Sequence, residues 1–429
     1  MKLRINIWYV PLILAALFAT YLIGGVLYFN ATPKDKRVTE PVNTQYSVFE
    51  AGFMQESGLL LGRNWVGGND VEILESGQQI FDSKFEAIRS AEKTITKETY
   101  NYWGESVGTP LAEELAAAAK RGVKVHFLMD FVGSRKAESQ QLQMMKDAGV
   151  EVIQWRRPAW YQVSRFNHRT HRKILVVDGN TAFTGGANAA DDWFYDEDNG
   201  GFRDFHYKIN GPVVNDIQQG FSENWVAATG TLLTGSDYYP MLEKQGLYTM
   251  QVTSSHPREG QKKIRKMFLY AISSAQKTIR ISSAYFFPDH DFLQALADAS
   301  ERGVEVQIIV PGENIDQAYF RLASKNRWGR LLESGVEIFE YQPAMYHAKL
   351  LIVDDKFVSF GSANFDNRSF RINDEMNVNV LNSDFAADRI AYFEYDLEHS
   401  KLYTLEDLEE RTVWEKFVGR MTQLAGPHL

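Results

Sequence analysis

The sequence contains no cysteine in 429 residues. Disulfides, thiolate metal centres, iron–sulfur clusters and a cysteine nucleophile are therefore excluded together. Basic residues are in deficit, 46 Lys and Arg against 55 Asp and Glu, for a formal net charge of −9. A duplex-binding protein usually presents a basic field, so nucleic acid is not an expected partner. The chain has no H-E-x-x-H helix, no Walker A loop and no dinucleotide fingerprint, so neither a metal nor a cofactor is expected. Long apolar runs are also scarce: one occurs, at the amino terminus. What is present is ordinary globular material, 44% hydrophobic and 24% charged, enough for two domains.

From Ile5 to Phe29 no residue is charged. As a helix that run reaches roughly 37 Å, enough to cross a bilayer with tilt. Lys2 and Arg4 precede it, Lys34, Lys36 and Arg37 follow, and Trp8, Tyr9, Tyr28 and Phe29 sit near its ends as an aromatic belt would. The run exceeds the ~7–15-residue core of a signal peptide, so residues 5–29 read as a single membrane anchor. The short basic tail before it resists translocation, which places the body of the chain outside the cytoplasm. Residues 30–57 are polar and aperiodic and read as a tether.

The rest alternates β-branched runs with amphipathic helical patterns, which signals an α/β fold. Lys124–Asp130 reads as a strand after a helix over Leu111–Lys120, and Glu305–Val310 as a strand after a helix over Asp291–Glu301. These units are copies. Ser90-Ala91-Glu92-Lys93-Thr94-Ile95 matches Ser274-Ala275-Gln276-Lys277-Thr278-Ile279, and Arg121-Gly122-Val123 matches Arg302-Gly303-Val304. Offsets above 180 residues are far longer than a solenoid repeat. The chain is thus a duplicated domain, about 58–245 and 246–429, with equivalent surfaces meeting at a pseudo-twofold.

Each copy carries H-x-K-x4-D: His171, Lys173 and Asp178, then His347, Lys349 and Asp354. Gly185-Gly186-Ala187-Asn188 and Gly361-Ser362-Ala363-Asn364 follow, each beginning fourteen positions after its histidine. One chance match would occur in roughly one chain in twenty of this length; two at equal spacing inside a duplication carry weight. The runs ILVV and LLIV read as buried strands, on which His and Lys two residues apart share a face. The aspartates, seven positions on, would face away, which assigns Asp178 and Asp354 to holding the strand end and turn. Each half thus forms a hairpin delivering His, Lys and Asn to one place.

Two histidines, two lysines and the amides of Asn188 and Asn364, converging across a pseudo-twofold, make a phosphate site without metal. Lysine supplies point charge to phosphoryl oxygens and amide N–H groups donate to them. One imidazole can attack phosphorus while the other protonates the leaving alcohol.

With these residues in place, the chain resembles the phospholipase D superfamily over roughly residues 60–400. Within it, Gly361–Val378 is similar to the second motif of bacterial cardiolipin synthases, and Phe202–His206 to the R-D segment after their first. The resemblance implies a phosphatidyl-histidine intermediate and exchange of alcohols on a phosphodiester. It implies Asp204 and Glu375 as the carboxylates orienting the histidines, by position Asp204 for His171 and Glu375 for His347. It also implies Ser362 among the substrate-binding residues and His171 as the attacking histidine. Phosphatidylglycerol is the implied substrate, with phosphatidylethanolamine as the other candidate lipid. A phospholipase D-type hydrolase, a membrane-tethered nuclease and an inactive lipid-binding module are the competing readings. Bacterial cardiolipin synthases of the best-known type often carry two amino-terminal spans, and this chain reads as having one.

Trp155–Tyr161 mixes aromatic and basic residues and reads as a packed loop or a headgroup-dipping one. Trp193, Phe194 and Tyr195 read as core or as a wall of an acyl pocket. Glu406–Arg411 reads as a solvated helical face, and His168 as incidental.

Overall fold

The computed structural model describes residues 9–31, 42, 44–159, 167–194, 201–256 and 262–423. Each half is a seven-stranded mixed sheet. In the first, Thr94–Thr99 lies parallel to Lys124–Asp130, which lies parallel to Glu151–Trp155. On its other edge Thr94–Thr99 pairs antiparallel with Ile174–Val177, and the order continues through Thr181–Gly185 and His206–Asn210 to Val66–Leu74. The second half repeats the order: Glu337–Tyr341, Glu305–Pro311, Thr278–Ser283, Lys349–Val353, Phe357–Gly361, Asn373–Leu381, Tyr248–Ser255. It adds the edge strand Ser400–Tyr403 on Glu337–Tyr341. Val66–Leu74 and Tyr248–Ser255 pair antiparallel where the halves meet. Each motif does form a hairpin, Ile174–Val177 with Thr181–Gly185 and Lys349–Val353 with Phe357–Gly361.

Burial explains the layering. The alternation of each strand sends one set of side chains to a core between the halves and the other to an outer core under helices. The shared core holds Val176, Tyr207 and Ile209 against Ile352, Phe360 and Val378, with Tyr207 and Phe360 stacked at 3.6 Å. The outer core of the first half packs the helices Gly77–Ser90 and Thr109–Lys120 on Ile95, Phe127 and Leu175. That of the second packs Lys263–Ser273 and His290–Glu301 on Ile279, Ile281 and Leu351. Helices therefore flank a doubled sheet, and the first strand of each motif hairpin contributes to its shared core through Ile174, Val176, Leu350 and Ile352.

Residues 51–57, expected within a tether, instead open the helix Ala51–Leu61. Phe53, Ser57 and Leu61, four residues apart, form its buried face, and Phe53 stacks on Tyr270 at 5.0 Å. The amino-terminal helix spans Val10–Ala31 with Leu12, Leu17 and Tyr21 exposed. Among the described residues no helix is long and apolar enough to cross a membrane. Residues 5–8 of the expected anchor lie outside the described residues, as do Trp160, Tyr161 and Tyr195.

Candidate active site

The aspartates of the motifs stand at the far ends of their hairpins. Asp178 takes φ 51° and Asp354 φ 50°, left-handed conformations in which Asp is several-fold enriched. The Asp178 carboxylate accepts from the backbone N–H groups of Glu92, Lys93 and Thr94 at 2.7–3.0 Å. Asp354 accepts from Gln276, Lys277 and Thr278 at 2.7–3.0 Å. These donors belong to the repeated S-A-x-K-T-I segments. Each aspartate therefore clamps the start of the neighbouring strand, at the end of the hairpin opposite the histidine.

Both histidines precede their strands and are buried, lining one cavity of about 540 Å³. Asn188 and Asn364 line it too, with Tyr100, Trp193, Phe202, Tyr285, Asp316 and Arg368. His171 Nδ1 lies 2.9 and 3.0 Å from the two oxygens of Glu375. His347 Nδ1 lies 2.5 Å from Asp204. The pairing expected from position is therefore corrected: each carboxylate serves the histidine of the opposite half. The cause is in the backbone. Arg169–Thr170 extends alongside Asn373–Asp374, and His171 N–H donates to the Asp374 carbonyl at 2.9 Å. Met345–Tyr346 runs alongside Phe202–Arg203, and His347 N–H donates to the Arg203 carbonyl at 2.8 Å. Each histidine is thereby set beside the residue that follows the dipeptide it pairs with, Glu375 after Asn373–Asp374 and Asp204 after Phe202–Arg203.

The two carboxylates occupy equivalent places but differ in support. Glu375 also accepts from Ser362 Oγ at 2.6 Å and Ser369 Oγ at 2.9 Å. Asp204 accepts instead from the Trp193 indole at 2.9 Å and from the Phe205 amide at 2.8 Å. Where the second half has Ser362, the first has Gly186, and a Cβ there would fall 2.2 Å from Asp204 Oδ1. Ser362, expected to bind substrate, is thus committed to Glu375 and is not among the residues lining the cavity. Trp193 does help wall the cavity, and its ring also meets the edge of His347 at 5.0 Å.

The lysines stand behind the histidines rather than on the cavity wall. Lys173 Nζ donates to its own His171 carbonyl at 2.6 Å and lies over the Tyr100 ring. Lys349 Nζ lies 2.8 Å from His347 Nδ1 and 3.2 Å from Nε2. Asn188 Oδ1 accepts from the Asn101 amide at 3.0 Å, which leaves its NH2 group for other partners. Asn364 Oδ1 is buried without a hydrogen bond.

Burial dominates the electrostatics. It pushes His171 down to about 4 and His347 to about 3, with Lys173 and Lys349 adding repulsion and the carboxylates opposing it. Lys349 is lowered by burial to about 8. Burial would raise Glu375 and Asp204, but the adjacent histidines and lysines outweigh it and hold both below the ordinary carboxylate range. Neutral imidazoles beside ionised carboxylates follow, each setting Nδ1 against its carboxylate and turning Nε2 away from it.

Several residues of the site were not singled out in the sequence. Tyr100 meets the His171 ring edge-on at 5.3 Å, and Tyr285 donates to Asp316 at 2.6 Å inside the cavity. A signal existed: both follow strands that begin in the repeated S-A-x-K-T-I segments. Ser369 lies in the segment similar to cardiolipin synthases, but its contact with Glu375 required the fold. Arg156 is held by a buried ion pair with Asp374 at 2.6 Å, so the packed reading of its loop holds at that residue.

The family model described as "Cardiolipin synthase, PLD-like domain" matches residues 85–225 and 268–397. A cardiolipin synthase of Geobacillus sp. (strain WCH70) is 35% identical over 84% of this chain and 72% of its own length. Cardiolipin synthase A of Pseudomonas putida (strain W619) is 33% identical over 95% of this chain and 89% of its own length. Among solved structures, a phosphatidylserine synthase of Haemophilus influenzae superposes with a TM-score of 0.63 at 15% identity, covering 87% of this chain and 97% of that one. With both halves matched and both motifs meeting at one cavity, the chain belongs to the cardiolipin synthase family of phospholipase D-like proteins.

Proposed function

We propose that the protein is a phosphatidyltransferase that joins two phosphatidylglycerols into cardiolipin and releases glycerol. The observation that carries the reading is the pair of histidines on one cavity, each backed by a carboxylate from the other half. In the first step His171 Nε2 attacks the donor phosphorus and the bond to the glycerol oxygen breaks. His347 gives that oxygen a proton. In the second, His347 takes a proton from a glycerol hydroxyl of the acceptor lipid, whose oxygen displaces His171.

Charge supports this division. Counting both lysines as charged, although burial lowers Lys173 well below its ordinary value, two carboxylates and two neutral imidazoles leave the site near neutrality. An incoming phosphodiester adds one negative charge, and proton uptake by His347 restores the balance. Lys173 and Lys349 hold the field positive from behind, while Asn188 and Asn364 remain to receive phosphoryl oxygens. One phosphodiester replaces another, so no nucleotide is needed.

The helix Val10–Ala31 and the uncharged run around it would anchor the body to the membrane that holds its substrate, with the body outside the cytoplasm. Protease treatment of right-side-out vesicles tests that orientation, and a protected body would reverse it. Purified protein given phosphatidylglycerol should yield cardiolipin and glycerol. Phosphatidic acid as the main product would instead make it a hydrolase.

A further inference from the structure

The carboxy-terminal helix Val413–Gln423 is built inside out. It docks on the helix Ala318–Glu333 through its smallest residue: a Cβ on Gly419 would fall 2.4 Å from Asn326 Nδ2 and 2.7 Å from the Leu322 carbonyl. Arg411, just before it, donates to Asn326 Oδ1 at 2.8 Å. The large apolar residues point the other way. Val413 is 85% exposed, Trp414 69%, Phe417 53% and Met421 52%. At ~100° per residue these four fall within one ~100° arc, and exposed Arg420 borders it. Trp414 and Phe417 stack at 5.8 Å, so the stripe is continuous. The helix is also deliberately begun: Thr412 and Glu415 cap each other's backbone N–H groups.

An apolar stripe turned to solvent needs a cover. Four partly exposed side chains offer on the order of 500 Å², short of the ~800 Å² that each partner of a standard protein interface buries. Tryptophan with a bordering arginine suits the headgroup boundary of an anionic bilayer. Position agrees. Leu322, against which Gly419 packs, lies one turn from Tyr319, which is half exposed and lines the cavity.

We propose that Val413–Gln423 is an interfacial helix whose Trp414, Phe417 and Met421 sink into the acyl-chain boundary of an anionic bilayer beside the cavity mouth. This rests on the reading that the cavity takes lipid from that bilayer. It would fix the mouth at the height of the headgroups, a task that a single tethering helix cannot perform alone.

The absence of cysteine makes the test direct, because one introduced thiol labels one site. Phe417→Cys in the full chain is labelled with an environment-sensitive fluorophore and reconstituted into phosphatidylglycerol–phosphatidylcholine vesicles. The expected result is a blue shift and quenching by nitroxide-bearing lipid, neither of which a label at exposed Glu301→Cys shows. Equal quenching at the two sites, or shielding at position 417 that persists in detergent and vanishes on dilution, overturns the proposal; the latter outcome would mark a contact with a second copy. In parallel, a Trp414→Asp, Phe417→Asp, Met421→Asp variant should lose about tenfold or more of its turnover on vesicles while keeping turnover on dispersed short-chain phosphatidylglycerol. Equal effects on both substrates also overturn it. Normal quenching at position 417 together with a wild-type protein that makes no cardiolipin would fail the transfer reading instead.

Discussion

The crossed carboxylates make a prediction that the same-half pairing does not. Glu375→Gln replaces an ion beside His171 with a neutral amide, and Asp204→Asn does the same beside His347. A hydrogen bond to a charged group contributes about 1.5–3 kcal/mol, so each variant should slow its own step by about 10- to 150-fold. The steps differ in what they need. His171 is the proposed nucleophile, so Glu375→Gln should slow formation of the covalent phosphatidyl-enzyme whatever the leaving group. His347 is the proposed acid, so the Asp204→Asn defect should shrink toward wild type when the donor carries a nitrophenol, which departs without a proton. Single-turnover measurements with a nitrophenyl and a glycerol donor separate the two. Double-mutant cycles add a second readout: Glu375 should couple to His171 and not to His347. If the leaving-group rescue belongs to Glu375→Gln, the roles of the histidines are reversed. If Glu375 couples to His347, the crossed geometry is wrong.

Asp354→Asn turns one acceptor oxygen into a donor facing three backbone amides, and should lower unfolding free energy by about 1–3 kcal/mol while turnover per folded molecule persists. Denaturant melts with active-site titration check it, and a folded, stable, inactive protein would refute the clamp role. Gly186→Ala should displace Asp204 and cost at least about tenfold in transfer, whereas Ser362→Gly should cost only a few-fold by removing one of several donors to Glu375. Equal losses would show that the two positions are not distinguished by space. Acid should also act through the histidines. Their folded pKa values of about 4 and about 3 lie below the ordinary 6.5, so the unfolded chain binds protons first and their contribution to stability is lost as pH falls below 6.5. The difference in Tm between wild type and a His171→Gln, His347→Gln variant should therefore shift against the wild type between pH 6.5 and 4, and parallel pH profiles would refute it.

The sequence by itself determined the duplication, the α/β class, the two hairpins and the residue types that meet at the cavity. These are local or periodic properties. Strand alternation, turn chemistry and equal spacing survive without knowledge of the partner half, and the aspartates could be assigned to the strand ends on side-chain phase alone. Helix limits shifted by only a few residues, as at Thr109–Lys120 and His290–Glu301. Tertiary structure decided everything that depends on which half lies beside which. The crossed pairing arises because Arg169–Thr170 and Met345–Tyr346 each extend onto a strand about 150–200 positions away, and spacing within one copy carries no information about that exchange. The same holds for Ser362, whose hydroxyl turns to Glu375 rather than into the cavity, and for Trp193, which backs Asp204 while walling the cavity. Placement of Ala51–Leu61 on the second half, and of an apolar stripe outward on Val413–Gln423, likewise followed from packing. An amphipathic pattern states that a helix has two faces; only the neighbour that takes one of them says which face is left exposed.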